Sequence, residues 1–166
     1  LRAMEYPISA IEVIFNMFRL KPAEELFPAA QARQIGILAR VPLASGLLTG
    51  RYTKDTRFGQ NDHRSYNRNG EAFDKGETFS GVDYEQELRA VAELKKLFGT
   101  EDLIPYALRW ILMQEAVSAV IPGASRPEQV RANVKAAQLP ALSPEQMEGV
   151  RAIYDRYIRA SVHPNW

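Results

Sequence analysis

The sequence predicts an α/β fold of about three parallel βα units plus extra helices. Three observations carry that prediction. Short β-branched and aromatic runs, suited to strands covered on both faces, recur along the chain. Helical stretches separate them, and strand, helix and strand follow one another within about thirty residues, the order of parallel pairing with right-handed crossovers. The 166 residues are 46% hydrophobic and 25% charged, an ordinary globular composition. They form one expected domain, residues 1–166, too short for a complete barrel of eight βα units, typically about 250 residues.

The first strand is expected over residues 9–18, SAIEVIFNMF, with an acid, Glu12, inside an apolar run. A helix is predicted over 22–34, with Leu26, Ala30 and Arg33 at helical spacing and Pro22 suited to its first turn. Gly36 opens a second strand, GILARV, which Pro42 ends. Residues 51–80 have no sustained period and read as a long loop, of the kind that is functional or disordered. Helical periodicity returns over 84–98, through Leu88, Val91, Leu94 and Phe98, and stops at Gly99. Another helix is expected over 102–114, with Pro105 in its first turn. The third strand is AVSAVI, 116–121, closed by Pro122-Gly123. Ser125 and Glu128 have the spacing of a capping box, opening a helix with Val130, Val134 and Ala137 as its apolar stripe. Ser143 opens the last helix, whose buried face is Met147, Val150, Tyr154 and Ile158. The tail from Ser161 reads as irregular, and residues 1–6 read as the end of a helix that begins upstream.

Composition excludes several chemistries. There is no cysteine, so disulfides, thiol nucleophiles and thiolate metal sites are ruled out. The two histidines, His63 and His163, are too far apart in sequence to suggest a metal cage. A formal net charge of +1 gives no pull towards nucleic acid or anionic lipid. No apolar run approaches the roughly 18 residues of a membrane span, and residues 1–6 lack a signal-peptide layout, so a cytoplasmic protein is expected.

Ligands of βα folds collect at the C-terminal strand ends, where three segments draw attention. In Arg40 to Gly50, Gly46 and Gly50 permit close backbone approach and Ser45 and Thr49 offer hydroxyls; the segment is either a phosphate cradle or a plain tight turn. In Ile121 to Asn133 a glycine turn meets a helix start, whose dipole favours an anion beside Arg126. Gln129 and Asn133 share a side of that helix with Arg126, and an ordinary solvated cap is the competing reading. Glu12 and Asn16 line either a ligand mouth or a solvated strand edge. His63 reads as solvated, while Phe98, Trp110 and Tyr154 read as core. No Ser-His-Asp set, P-loop or GxGxxG motif is present.

PLASGLLTGRY followed by AVIPGASRPEQVRAN strongly resembles the last two cofactor-binding loops of the aldo-keto reductase family, and IEVIFNMF looks like an earlier strand of that family. The resemblance implies part of a TIM (β/α)8 barrel: strands six to eight of an enzyme that reduces carbonyls with NADP(H). It implies that Val41, Pro42, Leu43, Ser45 and Gly46 hold the pyrophosphate together with Arg51. Ile121, Gly123, Ser125 and Arg126 would flank the adenosine 2′-phosphate, and Gln129 and Asn133 would reach the adenine. Glu12 stands where many members carry the Gln that binds the nicotinamide carboxamide, and Arg40 where many stack an aromatic ring. The family's catalytic Asp, Tyr, Lys and His lie on strands that have no counterpart here, so no catalytic residue is assigned and the chain alone is expected to be inactive. With no initiator Met, it reads as the C-terminal, cofactor-binding fragment of a reductase for a small-molecule carbonyl substrate. The alternative is a non-catalytic NADP(H)-binding or partner-interaction module whose open barrel edge favours self-association.

Overall fold

The computed structural model describes residues 1–165. A 3-10 turn, Arg2–Glu5, leads into strand β1, Ala10–Ile14. A second 3-10 turn, Lys21–Ala23, and helix α1, Leu26–Ala32, connect it to β2, Gly36–Arg40. A 3-10 segment, Ala44–Thr49, follows β2, and the short helix α2, His63–Tyr66, lies within the long segment beyond it. Turns Lys75–Glu77 and Phe79–Gly81 then lead to α3, Tyr84–Phe98, and α4, Ile104–Leu112. Strand β3, Val117–Val120, is followed by α5, Pro127–Ala136, α6, Pro144–Tyr157, and α7, Arg159–Val162. The strands form one parallel sheet in the order β1-β2-β3, with Ile14 beside Arg40 and Ala39 beside Val120. Their C-terminal ends therefore lie side by side.

Helices cover one face of this sheet. Phe15, Ile37 and Ala39 are buried there, and Phe15 stacks on Trp110 of α4 with centroids 5.2 Å apart. The other face is open and carries Glu12, Leu38, Arg40 and Ser118, all at least partly exposed. Phe98, Trp110 and Tyr154 are in the core, as the helical periodicity implied.

Several boundaries differ from the sequence reading. The predicted helix over 22–34 is split, because Pro28 has no N–H and its ring clashes with the carbonyl four residues back. It must sit in a first turn, so α1 begins at Leu26, and the left-handed Gln34 (φ 55°) keeps it short. β1 stops at Ile14 because Asn16 turns the chain, its Oδ1 accepting from Phe18 N at 2.8 Å. Pro105 fixes the start of α4 at Ile104, and Asp83 and Gly99 bound α3 where the periodicity placed it. The Ser125 capping box does not form. Gln129 Oε1 accepts from both Ser125 N (2.7 Å) and Ser125 Oγ (3.1 Å), so the hydroxyl is turned to the amide and the N-cap is Arg126. The reciprocal box at Ser143 and Gln146 is present. The expected apolar stripe of α5 is also corrected: Val130 and Val134 are 51% and 60% exposed. The tail is helical through Asn165, and Trp166 lies outside the described residues. Among the described residues no helix is long and apolar enough to cross a membrane.

Candidate functional site

Arg40 is the last residue of β2 and stands on the open face beside Glu12 of β1. Its Nη1 and Nη2 donate to the two carboxylate oxygens of Glu77 at 2.9 and 2.6 Å. Its Nε lies 3.8 Å from Glu12 Oε1. The paired Arg40 guanidinium holds the Glu77 carboxyl below the usual carboxylate range, and Glu77 in turn raises Arg40. The Glu12 side chain is 55% exposed and lies beside a cation.

The segment after β2 is conformationally unusual. Val41, Ala44, Ser45 and Gly46 all have positive φ, at 51°, 47°, 56° and 97°. A β-branched residue in that region is strained by roughly 1–3 kcal/mol, and such strain clusters at functional sites. Left-handed residues mixed with right-handed ones turn backbone N–H groups towards a common point, a nest for anions. Asn16 braces this turn. It is fully buried, and its Nδ2 donates to the Val41 carbonyl at 2.8 Å. Gly46 is required where it stands, since a Cβ would lie 2.2 Å from Tyr52 Oη.

Residues 51–80, without period in the sequence, fold back over this turn. Ser45 Oγ donates to the Glu77 carbonyl at 3.2 Å and accepts from Phe79 N at 3.4 Å. Arg19, buried at the end of β1, donates to the Gly76 carbonyl at 2.6 Å. Arg64 bonds to Tyr52 Oη and both carboxylate oxygens of Asp62, and lies 4.7 Å from the Phe58 centroid. Its bonds pull the Asp62 carboxyl down to about 2. Glu77, Arg64 and Tyr52 were invisible to sequence patterning, because an aperiodic loop gives no face on which to place them. Arg51 is exposed.

At the end of β3, Ile121, Gly123, Ser125 and Arg126 are exposed, while Gln129 and Asn133 are half-buried. Arg126 is the N-cap of the ten-residue α5, and no side chain caps that helix. Among the described residues Arg126 enters none of the ion pairs, so its guanidinium sits uncommitted beside an uncapped N-terminus. Positive dipole, N–H groups and cation converge there, the combination that suits a phosphate. His63, expected in solvent, is part-exposed and lies 3.6 Å from Asp62. One cavity of about 500 Å³, lined by Trp110, Met147 and Arg159, is in the helical layer, another of about 280 Å³ lies between Val13 and the turn from Lys21 to Leu26, and one of about 570 Å³ borders Arg19, Asp74 and Gly76. None of these is lined by Arg40, Arg126 or the turn from Val41 to Gly46. Among the described residues no cluster of His, Asp and Glu could hold a metal.

Three adjacent parallel strands, helices on one face and polar residues gathered at the C-terminal ends define a sector of a TIM (β/α)8 barrel. The chain belongs to the aldo/keto reductase family, whose model matches residues 1–155. Among solved structures it is similar to a glycerol dehydrogenase of Gluconobacter oxydans, with 30% identity and a TM-score of 0.73, covering 94% of this chain and 45% of that one. Among curated proteins it is 32% identical over 153 residues to an aldo-keto reductase of Strobilurus tenacellus, covering 89% of this chain and 43% of that protein. It is also 32% identical over 149 residues to a probable voltage-gated potassium channel subunit beta of Oryza sativa, covering 84% of this chain and 42% of the relative. The chain thus spans less than half the length of these relatives.

Proposed function

We propose that this chain provides the NADP(H)-holding βα units of an aldo-keto reductase activity acting on small-molecule carbonyls, as one domain of the cytoplasm. The observation that carries the reading is the uncapped N-terminus of α5 with Arg126 at its N-cap. A 2′-phosphate is a dianion, and a fixed guanidinium discriminates it from a hydroxyl by charge and by bidentate geometry. The strained turn of Val41 to Gly46 suits the pyrophosphate, and Arg51 lies at its exit. Ile121, Gly123 and Ser125 leave open backbone beside Arg126, and a Cβ on Gly123 would meet nothing within 4 Å. Gln129 and Asn133 stand one and two turns along α5, in reach of the adenine side. When bound, the reduced nicotinamide supplies hydride to a carbonyl carbon. This chain's residues bind and orient; none is assigned to proton donation. Binding without turnover is therefore the expected result for these 166 residues.

Fluorescence titration checks the reading. NADPH should bind more tightly than NADH, and Arg126→Ala should weaken NADPH about tenfold or more, the effect of losing a charge-assisted pair, while leaving NADH nearly unchanged. Equal losses for both cofactors would count against the 2′-phosphate assignment.

A second reading has its own support in exposed apolar side chains. Ile121, Val130 and Val134 stand out into solvent beside β3, and both outer strands of the sheet lack a neighbour among the described residues. Unpaired edges next to apolar side chains favour association. We propose self-association through this edge, which light scattering after size exclusion tests. Val134→Lys should shift the chain towards monomer, and a chain already monomeric at high concentration would exclude it.

A further inference from the structure

The two outer strands of the sheet are unlike each other, and each borders an apolar surface on the helical side. Along β1 a groove of about 280 Å³ lies between Val13 and the turn from Lys21 to Leu26, with Pro22 and Leu1 in its wall. Ser9 and Phe15 bond towards β2, so by alternation Ala10, Glu12 and Ile14 turn their N–H and C=O groups to the outer edge. Beyond β3 the surface protrudes instead. Helix α5 packs against α4 and buries only Ala136, leaving Val130 and Val134 exposed, with Ile121 at the strand end. Right-handed crossovers carry the chain from β1 to β2 to β3, and the same progression takes α5 past the free edge of β3.

Charge separates the two surfaces as well. Helix α5 and its N-cap carry Arg126, Arg131 and Lys135 against Glu128, and Lys135 enters no ion pair among the described residues. The cations of the groove are Lys21, which donates to the His163 carbonyl, and, in these 166 residues, the amino group of Leu1. Its acids are Glu24, held by Arg159 and His163, and the exposed Glu25, which enters no ion pair among the described residues. Two α5 helices facing each other would meet like charge. Against the groove, the cations of α5 meet a balanced rim on which Glu25 is open to them.

We propose that a second copy of this chain docks head to tail: its β1 edge pairs in parallel with β3, and its groove receives the Val130 and Val134 stripe of α5. The proposal rests on the self-association reading above and names the acceptor of that edge. A contact between unlike surfaces leaves one edge of each kind open on every pair, so copies add in series, as a ring or a filament.

Light scattering after size exclusion, over a range of concentrations, tests this. The unaltered chain should pass beyond a dimer as concentration rises. Val134→Lys removes the stripe and Val13→Lys blocks the groove; each should weaken association about tenfold or more, the effect of burying an unpaired charge. Glu25→Lys leaves the strand untouched, should act in the same direction, and replaces Val13→Lys if that variant does not fold. Mixed in equal amounts, Val134→Lys and the groove variant should form a one-to-one dimer and nothing larger, because one keeps its groove and the other its stripe. The proposal alone is overturned if the unaltered chain stops at a dimer, if the groove variants associate as the unaltered chain does, or if the mixture stays monomeric. An unaltered chain that is monomeric throughout removes the self-association reading itself.

Discussion

Asn16→Ala is expected to destabilise the fold by about 2 kcal/mol, because it strands the buried Phe18 N–H and takes from the Val41 carbonyl one of its two donors. Asn16 is fully buried; its Oδ1 takes the Phe18 N–H and its Nδ2 serves the Val41 carbonyl, both at 2.8 Å. Alanine replaces neither bond, and the Phe18 N–H that it strands is buried. For a chain of this size the loss corresponds to a fall in Tm of roughly 4–8 °C. Urea unfolding should show a lower midpoint at unchanged slope. Asn16→Asp separates the two bonds: it keeps an acceptor for Phe18 but presents a carboxylate to the Val41 carbonyl, and should do no better than alanine. The consequence reaches the site, because this amide shares the Val41 carbonyl with the Ala44 N–H (3.1 Å) and ties the turn, with Val41 at φ 51°, to the end of β1. Cofactor affinity should therefore fall as the turn relaxes. A cost below about 1 kcal/mol would mean that the turn holds itself, without the brace.

Much of the scaffold is legible in residue spacing because burial repeats with the period of the element. Helix α3 has its Asp83 cap, its buried stripe and its Gly99 stop all visible as letters. The strands are legible for the same reason, as short apolar runs closed by Pro42 and Pro122. Pro22 suggests an earlier start for α1 than the one Pro28 sets. The stripe of α5 is present as a pattern and absent as burial, since periodicity says which residues share a face and not whether anything covers that face. The candidate site divides along the same line. Arg126 and Arg40 follow from their places at strand ends, whereas Glu77 is 37 residues from Arg40 in sequence, in a segment with no period to fix its direction. Only long-range pairing places it, and spacing does not encode that.

Glu87→Gln should make the protein more stable at neutral pH. Glu87 lies on the buried stripe of α3 with Ala90, Val91, Leu94 and Phe98, a position an apolar residue would ordinarily fill. Neither carboxylate oxygen has a hydrogen-bond partner. Burial is the main force pushing its carboxyl well above the ordinary glutamate value of 4.5; the charge of Asp83 adds to it, and Arg68 and Arg19 oppose it. The sign follows from linkage. With the folded pKa raised, the group costs no ionisation energy below the unfolded value, and stability is lost as pH rises from there through the folded value. Near pH 7 the unfolded chain ionises Glu87 freely while the folded chain resists it. Glutamine removes that difference and should raise Tm at pH 7 by several degrees, on the order of what 1–2 kcal/mol does in a chain of this size. Near pH 3 both side chains are neutral in either state, and the gain should vanish. Glu87→Met, which also removes the unsatisfied polar atoms, should be more stable than Glu87→Gln across the whole range. If glutamine instead lowers Tm at pH 7, Glu87 is ionised in the fold and its attraction to Arg19 and Arg68 outweighs the burial. The pH dependence of the difference between wild type and Glu87→Gln decides between these, because an attraction would grow as the pH rises and a desolvation cost would grow with the opposite sign.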